Sequence, residues 1–228
     1  MLIIVSKDIS PEAKCILEKY GTLLIFSTKG IVYEAIENHP DIFLFPNNGQ
    51  IIAAPNTPLA IIDTLKKQNV PIETGEKPIR SIYPNTCMYN VVISDKYLIH
   101  NITYTDIAIK NKYKHLIPIH VNQGYTRCNL LALPNNSFIT SDHGIAGVLQ
   151  VKGIDVLYVK PADIILKNFS HGFFGGCCGI GAGCFFVNGS LSYFSERNKI
   201  EYFIERAGLK QIELSGGKPE DIGSMFFV

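Results

Sequence analysis

The chain has 228 residues, 46% of them apolar and only 18% charged, with 21 basic against 20 acidic side chains and a formal net charge of +1. Such a composition supplies ample material for one generous buried core. The charge balance also excludes a large nucleic-acid footprint, which needs a basic stripe to displace condensed counterions.

The N-terminal MLIIVSKDIS carries an apolar run ended by Lys7 and Asp8. It is too short for a secretory signal, so a cytoplasmic location is expected. Leu2–Ser6 reads as a strand, Pro11–Tyr20 as a helix and Thr22–Phe26 as a second strand, with a short helix at Ile31–Asn38. A hairpin follows at Asp41–Asn56, turning at Asn47–Gly49. Helix Pro58–Gln68 and strand Val70–Glu73 come next. The same grammar returns three times. Asn90–Asn101 turns at Asp95–Lys96 and precedes helix Thr105–His115 and strand Leu116–Val121. Cys128–Asp142 turns at Asn135–Asn136 and precedes helix Gly144–Gly153 and strand Asp155–Val159. Gly172–Asn188 turns within Ile180–Gly183 and precedes helix Ser195–Gly208 and strand Gln211–Leu214. Asn56, Asn101, Asp142 and Asn188 close the second strands and are read as helix-opening residues.

The turns recur about every 44 residues, within the range of repeat architectures. One more interval beyond the fourth turn reaches the last residues, where Gly223–Val228 reads as the first strand of a hairpin whose second strand is Leu2–Ser6. The expectation is an α/β chain of five hairpin–helix–strand units, residues 1–228 as one domain, five-fold pseudosymmetric and closed by pairing of the N- and C-terminal strands. Closure removes the unpaired strand edges that an open row would leave. A doubly wound nucleotide-binding fold would alternate single strands with helices and leaves the four hairpins unexplained.

Six stretches carry a resemblance: HPDIFLF (His39–Phe45), YNVV (Tyr89–Val92), VNQGYTRC (Val121–Cys128), ITSDHGIA (Ile139–Ala146), GFFGG (Gly172–Gly176) and EDIGSMF (Glu220–Phe226). On them the chain resembles an uncharacterised bacterial family with the guanidino-modifying-enzyme, or pentein, fold (an α/β propeller), and more distantly arginine deiminase and dimethylarginine dimethylaminohydrolase. The resemblance implies a site on the ring axis in which a cysteine attacks a guanidinium carbon, a histidine moves a proton and carboxylates bind the cation. Carried over by position, the histidine matches His171. The acidic positions fall at Tyr89–Asn90 and near Cys128, which are not acidic, and the nucleophile near Phe226–Phe227, where the chain has no cysteine. Standard deiminase or amidinohydrolase chemistry is therefore not expected; an enzyme of this kind would be a hydrolase or transferase acting on a small C–N substrate.

Five segments leading into the hairpins are expected to meet at one pocket: His39 and Asp41; Tyr89 and Asn90; Gln123 to Cys128; His171 to Phe174; and Asp221 to Ser224. The catalytic candidates are His171 and Cys128, the thiol replacing the missing nucleophile if the imidazole reaches it and lowers its pKa. The ligand-binding candidates are His39, Asp41, Asn90, Gln123, Gly124, Tyr125, Arg127 and Asp142. Arg127 suggests an anionic group such as a carboxylate. The glycine run 175–183 feeds a strand rather than a helix, so it is not a phosphate loop. The six cysteines show no CxxC and no regular spacing, so neither metal nor other cofactor is expected. The partner expected is a small-molecule ligand, with no nucleic acid and no membrane; the competing reading is a non-catalytic pentein acting as a protein-binding or scaffold module.

Overall fold

The structure is a computed structural model that describes residues 1–161 and 163–228. Its elements in chain order are β1 (Leu2–Ser6), α1 (Pro11–Leu17), β2 (Thr22–Phe26), the one-turn α2 (Pro40–Phe43), β3 (Leu44–Asn47), β4 (Gln50–Ala53), α3 (Leu59–Lys67) and β5 (Ile72–Thr74). Next come β6 (Val92–Ile93), β7 (Tyr97–His100), α4 (Ile107–Lys112), β8 (Ile117–His120), the one-turn α5 (Thr126–Asn129), β9 (Leu130–Ala132), β10 (Phe138–Thr140), α6 (His143–Val151) and β11 (Val156–Tyr158). The last are β12 (Cys178–Gly181), β13 (Cys184–Val187), α7 (Arg197–Arg206), β14 (Lys210–Glu213) and β15 (Phe226–Phe227).

The strands form five three-stranded sheets of identical topology: β3-β4-β5, β6-β7-β8, β9-β10-β11, β12-β13-β14 and β15-β1-β2. In each, the middle strand pairs antiparallel with the first and parallel with the third. An antiparallel pair closes through a tight turn, whereas a parallel pair needs a crossover, which the helix supplies. The β3–β4 turn illustrates the local chemistry. Asn48 (φ 49°) and Gly49 (φ 73°) take the left-handed conformations that a two-residue hairpin demands, and they set Asn47 opposite Gln50. The fifth sheet is assembled from both ends of the chain, with Ile3 opposite Phe227 and Ile4 opposite Phe226.

Among the described residues, each of the five longer helices α1, α3, α4, α6 and α7 buries two apolar side chains spaced i, i+4, within it or just past its last turn: Ala13 and Leu17, Ile61 and Leu65, Ile109 and Tyr113, Ile145 and Leu149, Ile200 and Ile204. That spacing puts both on one face of a 3.6-residue helix. Four apolar clusters result, and the central strands contribute fully buried Ile3, Ile4, Ile51, Ile99, Phe138, Phe185 and Phe186.

Two expectations need correction. The stretches before the hairpins are not strands throughout: Pro40–Phe43 and Thr126–Asn129 make single α-turns, and Gly175–Cys177 a 3-10 turn. Pro40 favours the first, because its fixed φ and missing N–H suit the start of a helix. Secondly, of the four residues read as helix-opening, only Asp142 caps a helix, accepting from Ile145 N at 2.8 Å. The three asparagines instead donate to loops that leave the third strands: Asn56 to Ile79 O, Asn101 to Asn122 O and Asn188 to Glu220 O. Each ties the end of a second strand to the loop that follows its third strand. No helix among the described residues is long and apolar enough to cross a membrane.

Candidate functional site

The five segments leading into the hairpins are joined in a closed cycle of hydrogen bonds. Asn90 Nδ2 donates to Asp41 O at 3.1 Å, and Asn90 Oδ1 accepts from Cys128 N at 3.1 Å. Arg127 donates through its guanidinium to Gly175 O at 2.8 Å and Cys178 O at 3.2 Å. Ser224 N donates to Gly176 O at 2.7 Å, and Asp41 N to Gly223 O at 3.3 Å, which returns to the start.

Inside this cycle sits a buried polar knot. The Cys128 thiol donates to Asp41 Oδ2 at 3.1 Å, and the Ser224 hydroxyl reaches the same oxygen at 2.7 Å. Asn90 Nδ2 lies 3.2 Å from Cys128 Sγ. Asp221 is fixed by two backbone donors, Phe173 N to Oδ2 and Gly223 N to Oδ1, each at 3.0 Å. Its Oδ1 stands 3.9 Å from His39 Nδ1. Gly223, at φ 71°, is required here, since a Cβ would fall 2.3 Å from that of His39. Burial pushes the Asp221 carboxyl up to about 6, a rise that the nearby His39 opposes. Burial, followed by the charges of Asp41 and Asp221, raises the Cys128 thiol well above its ordinary value.

A cavity of about 110 Å³ opens above the knot. Cys128, His39 and Asp221 lie at its base, and Tyr33, Tyr125, Phe169, Phe173, Leu166, Ile36 and His171 line the rest. The Tyr33 and Phe169 rings are 6.0 Å apart, and the Tyr33 hydroxyl donates to that of Tyr125 at 3.3 Å. Burial raises the pKa of both tyrosines, so they present neutral phenols.

His39, Asp41, Asn90, Tyr125, Cys128 and His171 thus lie together in and around this knot and cavity. His171 lines the same cavity as Cys128 but its Nδ1 bonds to Gly172 O at 2.9 Å, and the thiol proton goes to Asp41. The other four candidates lie elsewhere. Arg127 lines a separate cavity of about 260 Å³ at the hairpin end, its guanidinium spent on the two carbonyls and lying 5.6 Å from the centre of the Phe226 ring. It does not point a cation at the cavity above the knot. Gln123 donates to Asp142 Oδ2 at 3.0 Å and accepts from Tyr125 N; both side chains shape a surface groove with His120. Gly124 is structural, its carbonyl 2.8 Å from His100 Nε2.

Acidic groups were expected at the second and third hairpins, where none stands. The carboxylates come from the first and fifth, Asp41 and Asp221. The EDIGSMF stretch pointed to the second of these. Tyr33 and Phe169 lie outside the repeated units, so no periodicity announces them.

Among solved structures, the agmatine deiminase of C. jejuni matches with 11% identity and a TM-score of 0.54, covering 98% of this chain and 94% of that one. An amidinotransferase of the saxitoxin biosynthetic pathway of Microseira wollei matches with 12% identity and a TM-score of 0.54, covering 94% and 88%. DDAH from Pseudomonas aeruginosa matches with 10% identity and a TM-score of 0.49, covering 94% and 91%. At these identities what the agmatine deiminase and the amidinotransferase share with the chain is the mixed α/β pentein fold with its five small sheets. No curated protein matches the sequence. One family model spans residues 4–226, and the chain accordingly belongs to the family of unknown function DUF6873.

Proposed function

We propose that the chain is a single five-unit propeller that binds the cationic head of a small guanidino or amino-acid-like compound in its axial cavity. The observation that carries this is the pairing of aromatic walls with a carboxylate floor. Tyr33, Tyr125, Phe169 and Phe173 surround a space whose base holds Asp221, with Asp41 close beneath. A cation gains from ring faces and from carboxylates together, most of all where water is thin. About 110 Å³ accommodates a head group rather than a whole metabolite, so the rest of the ligand passes the exposed Phe169 toward solvent. The partners in this reading are small molecules, not nucleic acid or membrane, in keeping with the net charge of +1.

One observation favours binding over thiol catalysis. Cys128 gives its proton to Asp41, not to a histidine, and its raised pKa keeps it a thiol. The reading is tested by calorimetric titration of guanidinium, arginine, agmatine and small carboxylates. Guanidino compounds are expected to bind and carboxylates not, with affinity falling about 100-fold in Asp221→Asn. Binding of carboxylates alone, or guanidino binding untouched by Asp221→Asn, sinks it.

A further inference from the structure

We infer that His39, Asp41 and Cys128 form a binding site for one zinc-type divalent cation at the base of the axial cavity. One ligand atom from each of the three lies within 4.8 Å of the others, and all three residues are buried, at 3%, 0% and 3% exposure. Two of their polar atoms, His39 Nδ1 and Asp41 Oδ1, are buried without any hydrogen-bond partner. Buried polar atoms are nearly always paired, and an unpaired carboxylate oxygen is among the costliest to leave so. Among the described residues Asp41 has no basic side chain within ion-pair distance, because the nearby Arg127 is committed to the carbonyls of Gly175 and Cys178. A bound cation supplies what both orphaned atoms lack.

The donor set selects the metal. One imidazole nitrogen, one carboxylate oxygen and one sulfur suit zinc or its cobalt substitute; magnesium and calcium favour all-oxygen shells. Zinc ligands sit roughly 3.5 Å apart in a tetrahedron, so the three groups need close in only slightly. Three protein ligands leave a fourth position, and Cys128 and His39 both line the cavity above, so that position opens onto it. The surroundings already support such ligands. Ser224 donates to Asp41, and Asn90 to Cys128 Sγ. No CxxC-like spacing betrays the set, since Asp41 and Cys128 are 87 positions apart. The site does not depend on the organic-cation reading, whose carboxylate is Asp221 rather than Asp41.

The test uses the full chain, stripped by a chelator and titrated with Zn²⁺ alone by calorimetry, then with Co²⁺ followed by absorption. One equivalent of Zn²⁺ is expected to bind and raise the melting temperature, and Co²⁺ to give a thiolate-to-metal band, the metal displacing the Cys128 thiol proton to solvent. Cys128→Ser keeps the hydrogen bond to Asp41 and is expected to lose that band and at least 10-fold in Zn²⁺ affinity. Asp221→Asn is expected to keep stoichiometric Zn²⁺ while losing guanidino binding, which separates failure of this inference from failure of the other. Zinc-edge X-ray absorption of the wild type reads one sulfur among nitrogen and oxygen neighbours, and holds even if a variant misfolds. No Zn²⁺ uptake, a sulfur-free shell, or undiminished binding in folded Cys128→Ser overturns the site.

Discussion

Replacing Phe226 by alanine tests whether the chain ends act as one more structural unit or as a loose margin. Phe226 is 5% exposed, stands opposite Ile4 across the terminal sheet and lies under the Arg127 guanidinium. Truncating a buried phenylalanine removes its transfer free energy and leaves a cavity, together about 3–5 kcal/mol. The cation–ring contact adds about 0.5–1 kcal/mol, so a loss of about 4 kcal/mol is expected. For a chain of this size that is a fall in melting temperature of about 8–16 °C, from a total stability of about 5–15 kcal/mol. Urea unfolding followed by circular dichroism measures it. Ile4→Ala, alone and combined with Phe226→Ala, reports whether the two ends depend on each other through a coupling of about 0.5–3 kcal/mol. A cost below about 1 kcal/mol, or strict additivity of the pair, would mean that the C-terminus merely frays and that the fifth sheet contributes nothing to the rest.

Other outcomes follow from single residues. His100 is fully buried between Thr105 and Gly124 O, and burial lowers its pKa to about 4. It stays neutral in the fold while the unfolded chain takes up a proton near pH 6.5, so stability is complete above about pH 6.5 and declines by about 3 kcal/mol as pH falls to about 4. Unfolding at several pH values should show this slope in the wild type and a shallower one in His100→Gln; parallel slopes would refute it. A Cβ at Gly176 would meet Asp221 Oδ1 at 2.0 Å, so Gly176→Ala should displace that carboxylate, abolish guanidino binding and cost about 1–3 kcal/mol. Gly147→Ala on α6 meets nothing within 4 Å and should stabilise by about 0.5–1 kcal/mol, and a reversed ranking in thermal melts would contradict the geometry. Cys15 is exposed while Cys128 is buried, so iodoacetamide should label Cys15 in the native protein and leave Cys128 unmodified until urea is added. Mass spectrometry showing both labelled at equal rates would mean that the thiol is free and ionised.

The five sheets were legible in the chain because hairpin, helix and strand signals are local. Asn47–Gly49 marks its own turn, and Leu2–Ser6 and Thr22–Phe26 coincide with observed strands to the residue. Even the pairing of the two ends could be read, since it only requires counting one further period. The site was legible only in part. That five segments converge follows from the repeat, but the direction of each side chain does not. Arg127 sits beside Cys128 in sequence yet serves the opposite cavity, and Gln123 turns to Asp142 on the surface. The acids at the base come from the first and fifth sheets, and what distinguishes them is burial: Asp221 is raised to about 6, and Asp41 keeps one oxygen unpartnered. Desolvation and orphaned lone pairs are properties of three-dimensional surroundings, contributed by residues far apart in the chain. Sequence alone determined the five small sheets and how the ends pair; tertiary structure decided which polar groups face one another in the knot, because that depends on packing between the sheets.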